Sequence, residues 1–417
     1  MIFDKSALQG FSLDEAVLFD NFYLSNITPL FLVETLADLD KPDAKKRPPE
    51  HIVGSLAAKT PVGGRPNVHH ATLCAGELLE SPLELGLGRP VLAGGRTVMT
   101  PSQTGIMFEP APEAEALQRW QSGEFLEAER LFARQWRRAL SGIDLQAIYE
   151  THRPTSSARL PDLPAVKEAA DRLVRRDGNR FAILKAALDS IRAPVALRRA
   201  VIARWSDLGG PPLAEFAPYT AHVMTVDLFF NLAIGSDLIG RQRPSNRIDV
   251  AYLYYLPFCM VFISSDRLHE RCAPCFLTER QAFISGPELK ADLAKLDAHY
   301  SALPEDVRDR GLMSFAQNPP DGDFLTTRLW DRFLPKWRSN LLKPDLPPEA
   351  KAKVLELVRQ MKKAKELKGA AAADVNTDTA GFVMLSTRMP ASRGKWHILP
   401  PEIRNRPPTD VPPDDEG

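Results

Sequence analysis

The chain has 417 residues, of which 44% are hydrophobic, and its 53 basic and 53 acidic side chains leave a net charge of zero. That length exceeds what one core commonly holds, so two domains, or one domain with a large insertion, are expected. The charge balance excludes a polycation that coats nucleic acid with its whole surface, so any nucleic-acid face must be local.

In chain order, the first predicted element is a short apolar strand, Ile2 and Phe3, running into Asp4 and then Ser6. A second apolar run, residues 29–33, reads as a strand that delivers Glu34 into a following helix. Residues 41–65, with Lys45, Lys46, Pro48, Gly63 and Gly64, read as a break and a loop. Residues 67–112 are expected to be irregular with at most a hairpin. From residue 113 to 140, Leu117, Trp120, Phe125, Phe132 and Trp136 recur among charges around Gly123, which predicts two amphipathic helices. Further helices are expected over 164–177, 180–192, 194–206 and 219–234.

Later in the chain, Asp249 opens an apolar helix, and the run 260–265 reads as a buried strand ending at Asp266. Residues 287–299 read as a helix, and residues 324–342, with Trp330, Phe333 and Trp337, as a segment packed on the domain. Residues 344–348 read as a linker, 349–368 as a basic helix, 370–373 as flexible, and 382–399 as a docked extension. The proline-rich tail, ending in Asp414, Asp415 and Glu416, is expected to be disordered.

Short, nearly continuous apolar runs suit strands of a parallel sheet buried on both faces, and in such sheets function gathers beyond the carboxyl ends of the strands. Asp4, Glu34 and Asp266 fall at or just after such ends, and Asp249 precedes Asp266 by one helix and one strand. This order of acids resembles the PIN-domain nucleases: a strand, Asp and a hydroxyl residue; a Glu on the next helix; an Asp opening a late helix; and a strand ending in Asp. The resemblance covers residues 1–42 and 240–300. It implies an α/β fold with a PIN-like parallel sheet flanked by helices and a large, mostly helical insertion. On that reading a discontinuous domain comprises 1–42 and 240–342, the insertion 43–239, and the linker, basic helix and tail 343–417.

Four converging carboxylates repel one another, so either some stay protonated or a cation neutralises them. Hard ions such as Mg²⁺ or Mn²⁺ take oxygen ligands and suit a carboxylate cluster acting on a phosphodiester. Asp4, Glu34, Asp249 and Asp266 are therefore the expected catalytic and metal-holding residues, with Ser6 placed to hydrogen-bond a metal-bound water. The expected activity is a metal-dependent endonuclease, with nucleic acid as partner and RNA favoured over DNA by the resemblance. Residues 130–210 carry sixteen Lys/Arg and eight Asp/Glu, a local excess (16 − 8 = +8) suited to holding a phosphate backbone.

Two alternatives come with this reading. One is a PIN-like binding or scaffold protein without turnover. The other is a zinc-stabilised interaction module using His269, Cys272 and Cys275 with Cys259 upstream, a spacing imaginable as zinc ligands; His69, His70 and Cys74 form a second such cluster. Against the first cluster, Cys259 reads as core, the other three share a short loop without a second ligand pair, and His269, three residues after Asp266, reads as a surface residue. Four cysteines in so long a chain do not make a disulfide framework. The N-terminal residues lack the pattern of a secretory signal, and residues 252–263 are too short and too broken by Pro257 to span a bilayer. A cytoplasmic protein without a membrane partner is expected, and a protein partner or a second copy is compatible with it.

Overall fold

A computed structural model describes residues 1–41, 47–153, 159–339 and 379–405, except Ser81 and Leu87, and parts of 349–375. The linker at 344–348 and the tail from 406 lie outside the described residues, as does much of 349–362 and of 370–373. The fold is mixed α/β, with small sheets among many helices. The N-terminal part runs β1 (Ile2–Phe3), α1 (Lys5–Gly10), α2 (Leu13–Phe22), β2 (Asn26–Ile27), α3 (Pro29–Ala37), α4 (Pro49–Lys59), β3 (Arg65–Pro66), α5 (His70–Leu79) and the hairpin β4 (Gly95–Met99) with β5 (Thr104–Phe108).

A helical stretch follows: α6 (Pro112–Gln121), α7 (Glu127–Ser141), α8 (Leu145–His152), α9 (Leu163–Val174), α10 (Arg180–Ser190), α11 (Val195–Asp207), α12 (Leu213–Phe216) and α13 (Pro218–Gly235). The chain then returns through α14 (Asn246–Ala251), β6 (Val261–Ser264), α15 (Arg267–Cys272), β7 (Ala282–Ser285) and α16 (Gly286–Ser301).

The sheet that matters most has three parallel strands in the order β1, β6, β7, with Ile2 opposite Phe262 and Phe262 opposite Phe283. All four residues of β6 are buried, as the expected two-sided covering requires. Phe3 packs edge-on against Phe19 of α2 and Phe31 of α3, so β1 is pinned from both following helices. Tyr219, Phe229 and Phe230 of α13 belong to the same core as Ile2, Phe3 and Phe262. The C-terminal segment is docked: Trp396 and Ile398 are buried in this core, and Phe382–Leu385 pairs in parallel with β5. At 365–366, inside the expected basic helix, the chain is instead a short strand paired with β4.

Three further elements differ from the sequence expectations. Residues 29–33 are not a strand but the first turns of α3, because Thr28 caps the helix through its hydroxyl and Pro29 sits at its first position. Residues 49–59 within the expected loop form α4, again begun by a proline. Its Gly54 lies where α6 crosses, and a Cβ there would stand 2.7 Å from the Trp120 carbonyl oxygen. Residues 70–79 form α5 within the stretch expected to be irregular; the His69 ring accepts from the Ala71 amide at its start.

Candidate active site

Both ends of the central strands deliver an acid to a helix start. Asp4 caps α1: its amide donates to the Ile263 carbonyl (3.1 Å), continuing the ladder by one residue, and its Oδ1 accepts from the Ala7 amide (3.0 Å). Asp266 caps α15 in the same way, its Oδ1 accepting from the Leu268 amide (2.6 Å). Asp249 lies in the first turn of α14. Glu34 projects from within α3, not from a strand end, so the second motif's acid comes from a helix that crosses beside the sheet.

Asp4 is buried and fully engaged. Ser6 Oγ reaches its two oxygens at 2.9 and 2.7 Å, and Ser264 Oγ donates to its Oδ2 (2.9 Å). Ser6 also accepts from the Ser265 amide (3.0 Å), so its hydroxyl ties β1 to the end of β6. His269 is buried here, 1% exposed, not at the surface as expected.

The protonation of His269 follows from its partners. Its Nε2 faces the Asp249 backbone carbonyl at 2.5 Å, and a carbonyl only accepts, so Nε2 carries a proton. Its Nδ1 faces Ser264 Oγ at 2.7 Å. That hydroxyl spends its proton on Asp4 and already accepts from the Asp266 amide (2.9 Å), so Nδ1 must donate to it as well. Both nitrogens are protonated and the ring is an imidazolium, 3.4 Å from Asp4 Oδ2. Burial works against that charge, but the hydrogen bond and charge of Asp4, with the Asp249 carbonyl and carboxylate, push the His269 pKa up to about 9. In return, although burial opposes its charge, Asp4 is held below the usual carboxylate range by His269, Ser6 and the Ala7 amide.

The other acids share this field. Burial raises the Glu34 pKa and Asp4 adds to the rise, against the pull of Lys5, of the Tyr252 hydrogen bond and of His269. The Tyr252 hydroxyl donates to Glu34 Oε2 at 2.5 Å. Burial and the negative field of Glu34 keep that phenol protonated well above its ordinary range. Lys5 Nζ donates to both Asp38 oxygens (3.1 Å) and to the Glu34 carbonyl (3.2 Å), neutralising an acid one turn further along α3. Asp249 is the acid with an open oxygen: among the described residues its buried Oδ2 has no hydrogen-bond partner. Burial first, then the charges of Glu34 and Asp266, push its pKa up to about 7, while His269 and Arg243 pull it down.

The four acids expected from the sequence thus form one electrostatic group, Asp4 coupled to Glu34, Glu34 to Asp249, and Asp249 to Asp266. Among the described residues no three His, Cys, Asp or Glu side chains are gathered as ligands of one ion. In chemical type the carboxylates of Glu34, Asp249 and Asp266 suit a hard cation, the Asp249 Oδ2 being unsatisfied among the described residues, whereas both Asp4 oxygens are taken up by Ser6, Ser264, the Ala7 amide and His269. Neither of the two Cys/His clusters is gathered as ligands of one ion among the described residues either. Both His269 nitrogens are occupied, and Cys259 and Cys272 are buried thiols. His70 packs against Tyr254, and its pKa is lowered to about 3 by burial and by the charges of His69 and Arg247. The sequence signal for His269 is its place three residues after Asp266; for Tyr252, three after Asp249.

Arg137 and Arg138 lie on α7, which packs against α3, the helix that carries Glu34. On the same helix Phe132 and Trp136 stack, with Phe132 39% exposed. Arg175 and Arg176 follow α9. No helix among the described residues is long and apolar enough to cross a membrane. Comparisons with family models, curated proteins and solved structures give no match to this chain.

Proposed function

We propose that this chain is a PIN-like, metal-dependent nuclease that hydrolyses phosphodiester bonds of nucleic acid, with RNA favoured over DNA. The observation that carries the proposal is Asp249: a buried carboxylate with an unpartnered oxygen, at the centre of a chain of repelling acids. Such an oxygen costs free energy unless a proton or a cation meets it. Asp249, Glu34 and Asp266 would hold Mg²⁺ or Mn²⁺. When bound, such an ion polarises the phosphoryl oxygen and lowers the pKa of a water.

The chain's own residues have separable tasks. Tyr252 fixes one oxygen of Glu34 through its hydroxyl. Ser6, Ser264 and His269 hold Asp4 ionised and in one orientation. Asp249, its pKa raised to about 7 while no ion is bound, keeps a proton near neutrality at the buried carboxyl and would give it up to a cation that binds there.

The test uses purified protein with labelled single-stranded RNA and DNA, in Mn²⁺ or in chelator. Cleavage should require the ion and fall at least a hundredfold in Asp266→Asn, with the melting curve unchanged. Cleavage in chelator, or full activity in that variant, refutes the proposal. A second reading, a binding protein of the same fold without turnover, is favoured by the internal cations: His269 and Lys5 already offset part of the acidic charge. Under it Mn²⁺ leaves the melting temperature where it was. Under the first, a hundredfold excess over Kd adds about 2.7 kcal/mol to stability.

A further inference from the structure

Between β3, α4, α6 and the segment that follows the strand Phe382–Leu385 lies a cavity of about 360 Å³, with its whole wall among the described residues. Ile27, Ala57, Pro61, Pro66 and Leu117 give it an apolar lining, and all five are buried. Small-ligand sites have volumes of roughly 300–1,000 Å³ and a lining that is mostly apolar with a few placed polar groups. The cavity meets both conditions.

Its polar group without a counterpart is Arg65, which lines the cavity from β3 and is 5% exposed. Nη1 donates to the Glu109 carbonyl (3.0 Å), and Nη2 to the Ser386 carbonyl and to Thr387 Oγ1 (2.7 Å), all neutral acceptors. The buried Nε has no hydrogen-bond partner among the described residues. No acid answers the charge there either: the Glu109 carboxylate pairs with Arg96 instead, and desolvation, unopposed by any acid, lowers the Arg65 pKa. A buried guanidinium without an opposite charge is costly, and an anion beside it relieves that cost.

We propose that this cavity binds a small organic acid, with its carboxylate beside Arg65 and its apolar body against Ile27, Pro61 and Leu117, independently of the chemistry at Asp249. Thr387 Oγ1 accepts from Arg65 and so keeps its own proton to donate to that carboxylate. Glu113 and Glu115 also line the cavity, from the first turn of α6, where the helix N-terminus favours acids. Glu113 is half-buried, and Glu115 and the nearby cation Arg388 are exposed, so water and salt screen that part of the wall while Arg65 acts from the buried part.

The experiment is calorimetric titration of the full chain at neutral pH with sodium octanoate and with octanamide, its neutral twin of the same length. The parent should bind the acid about tenfold more tightly than the amide, or better, because hydrogen bonds to an ionised acceptor are the stronger ones. Arg65→Met keeps the length of the stem without its charge and should bring the two affinities together, while Arg65→Lys should restore a preference for the acid. Ala114→Trp, at an exposed position of α6 in the cavity wall, should abolish binding of both by filling the space. An arginine that only ties Ser386 and Thr387 to β3 would set no preference between acid and amide. A parent that binds neither compound, or both alike, overturns the proposal. So does an Arg65→Met protein that keeps the preference, or an Ala114→Trp protein that binds octanoate as the parent does. If Arg65→Met melts early through its lost bonds to Ser386 and Thr387, the parent's acid-to-amide ratio and Ala114→Trp still decide.

Discussion

Replacing Asp249 by Asn should make this protein more stable at neutral and alkaline pH. The folded state raises the Asp249 pKa from 3.8 to about 7, burial contributing most and Glu34 and Asp266 the rest. A carboxyl group raised in this way contributes its full stability below pH 3.8, and that contribution is lost as pH rises through 7. At 1.36 kcal/mol for each pH step, the gap between 3.8 and about 7 amounts to at most about 4 kcal/mol by pH 8. Asn keeps the shape and never ionises. Unfolding entropy of about 2.1 cal/mol/K per residue over the chain turns that figure into a rise of roughly 4–5 °C if the protein melts as one unit. The assay is a series of melting curves for parent and Asp249→Asn from pH 4 to pH 8.5, in chelator so that no ion supports the parent. The curves should coincide near pH 4 and separate steadily through pH 7. If the parent is the more stable form at pH 8, or the gap is the same at both ends, Asp249 does not ionise against repulsion and the acids do not form one group.

Three further outcomes are expected. His269 is raised to about 9, so its contribution is full below pH 6.5 and lost as pH rises through 9; the parent should weaken over that window, and His269→Gln, already weaker at pH 6, should show a flatter profile by chemical denaturation. Gly54→Ala should cost about 1–3 kcal/mol, because its methyl meets the backbone oxygen of Trp120 and α4 cannot move off α6 freely; an unchanged denaturation midpoint would refute that clash. Removing Arg137 and Arg138 together should reduce the salt slope of strand binding by about 0.7 for each phosphate the pair holds, whereas removing Arg175 and Arg176, on the loop after α9, tests whether that face takes part at all.

Asp4 and Asp266 are legible in the sequence because a few apolar residues followed by an acid and a helix former state a strand end and a cap in adjacent positions. Glu34 is legible in its chemistry but not in the element that carries it. Leu30 and Phe31 are buried and Leu32 and Val33 partly so; a helix that sits between others shows the same unbroken apolar run as a strand. Thr28 and Pro29 are the signals that separate the two cases. For His269 the sequence offers only its place three residues after Asp266; its burial depends on α14 arriving to offer the Asp249 carbonyl and β1 arriving to offer Asp4. The same holds for Lys5, whose partner Asp38 is fixed only once α3 is known to be a helix.

The parallel pairing of β1 with β6 has a consequence for how the protein is made. Ile2 is synthesised 260 residues before its register partner Phe262 (262 − 2), and β7 and the start of α16 come later still. At ribosomal rates of about 5–20 residues per second, roughly 10–50 s pass between the two. During that interval Asp4 has neither Ser264 nor His269, Asp249 is added only near its end, 13 residues before Phe262 (262 − 249), and Asp266 does not yet exist. A nascent chain therefore carries Asp4 and Glu34 without a working cluster, and the acids meet only after the whole helical stretch has left the ribosome. On the proposed reading, a chain able to cut RNA stays inert beside the message that encodes it until β6 pairs with β1.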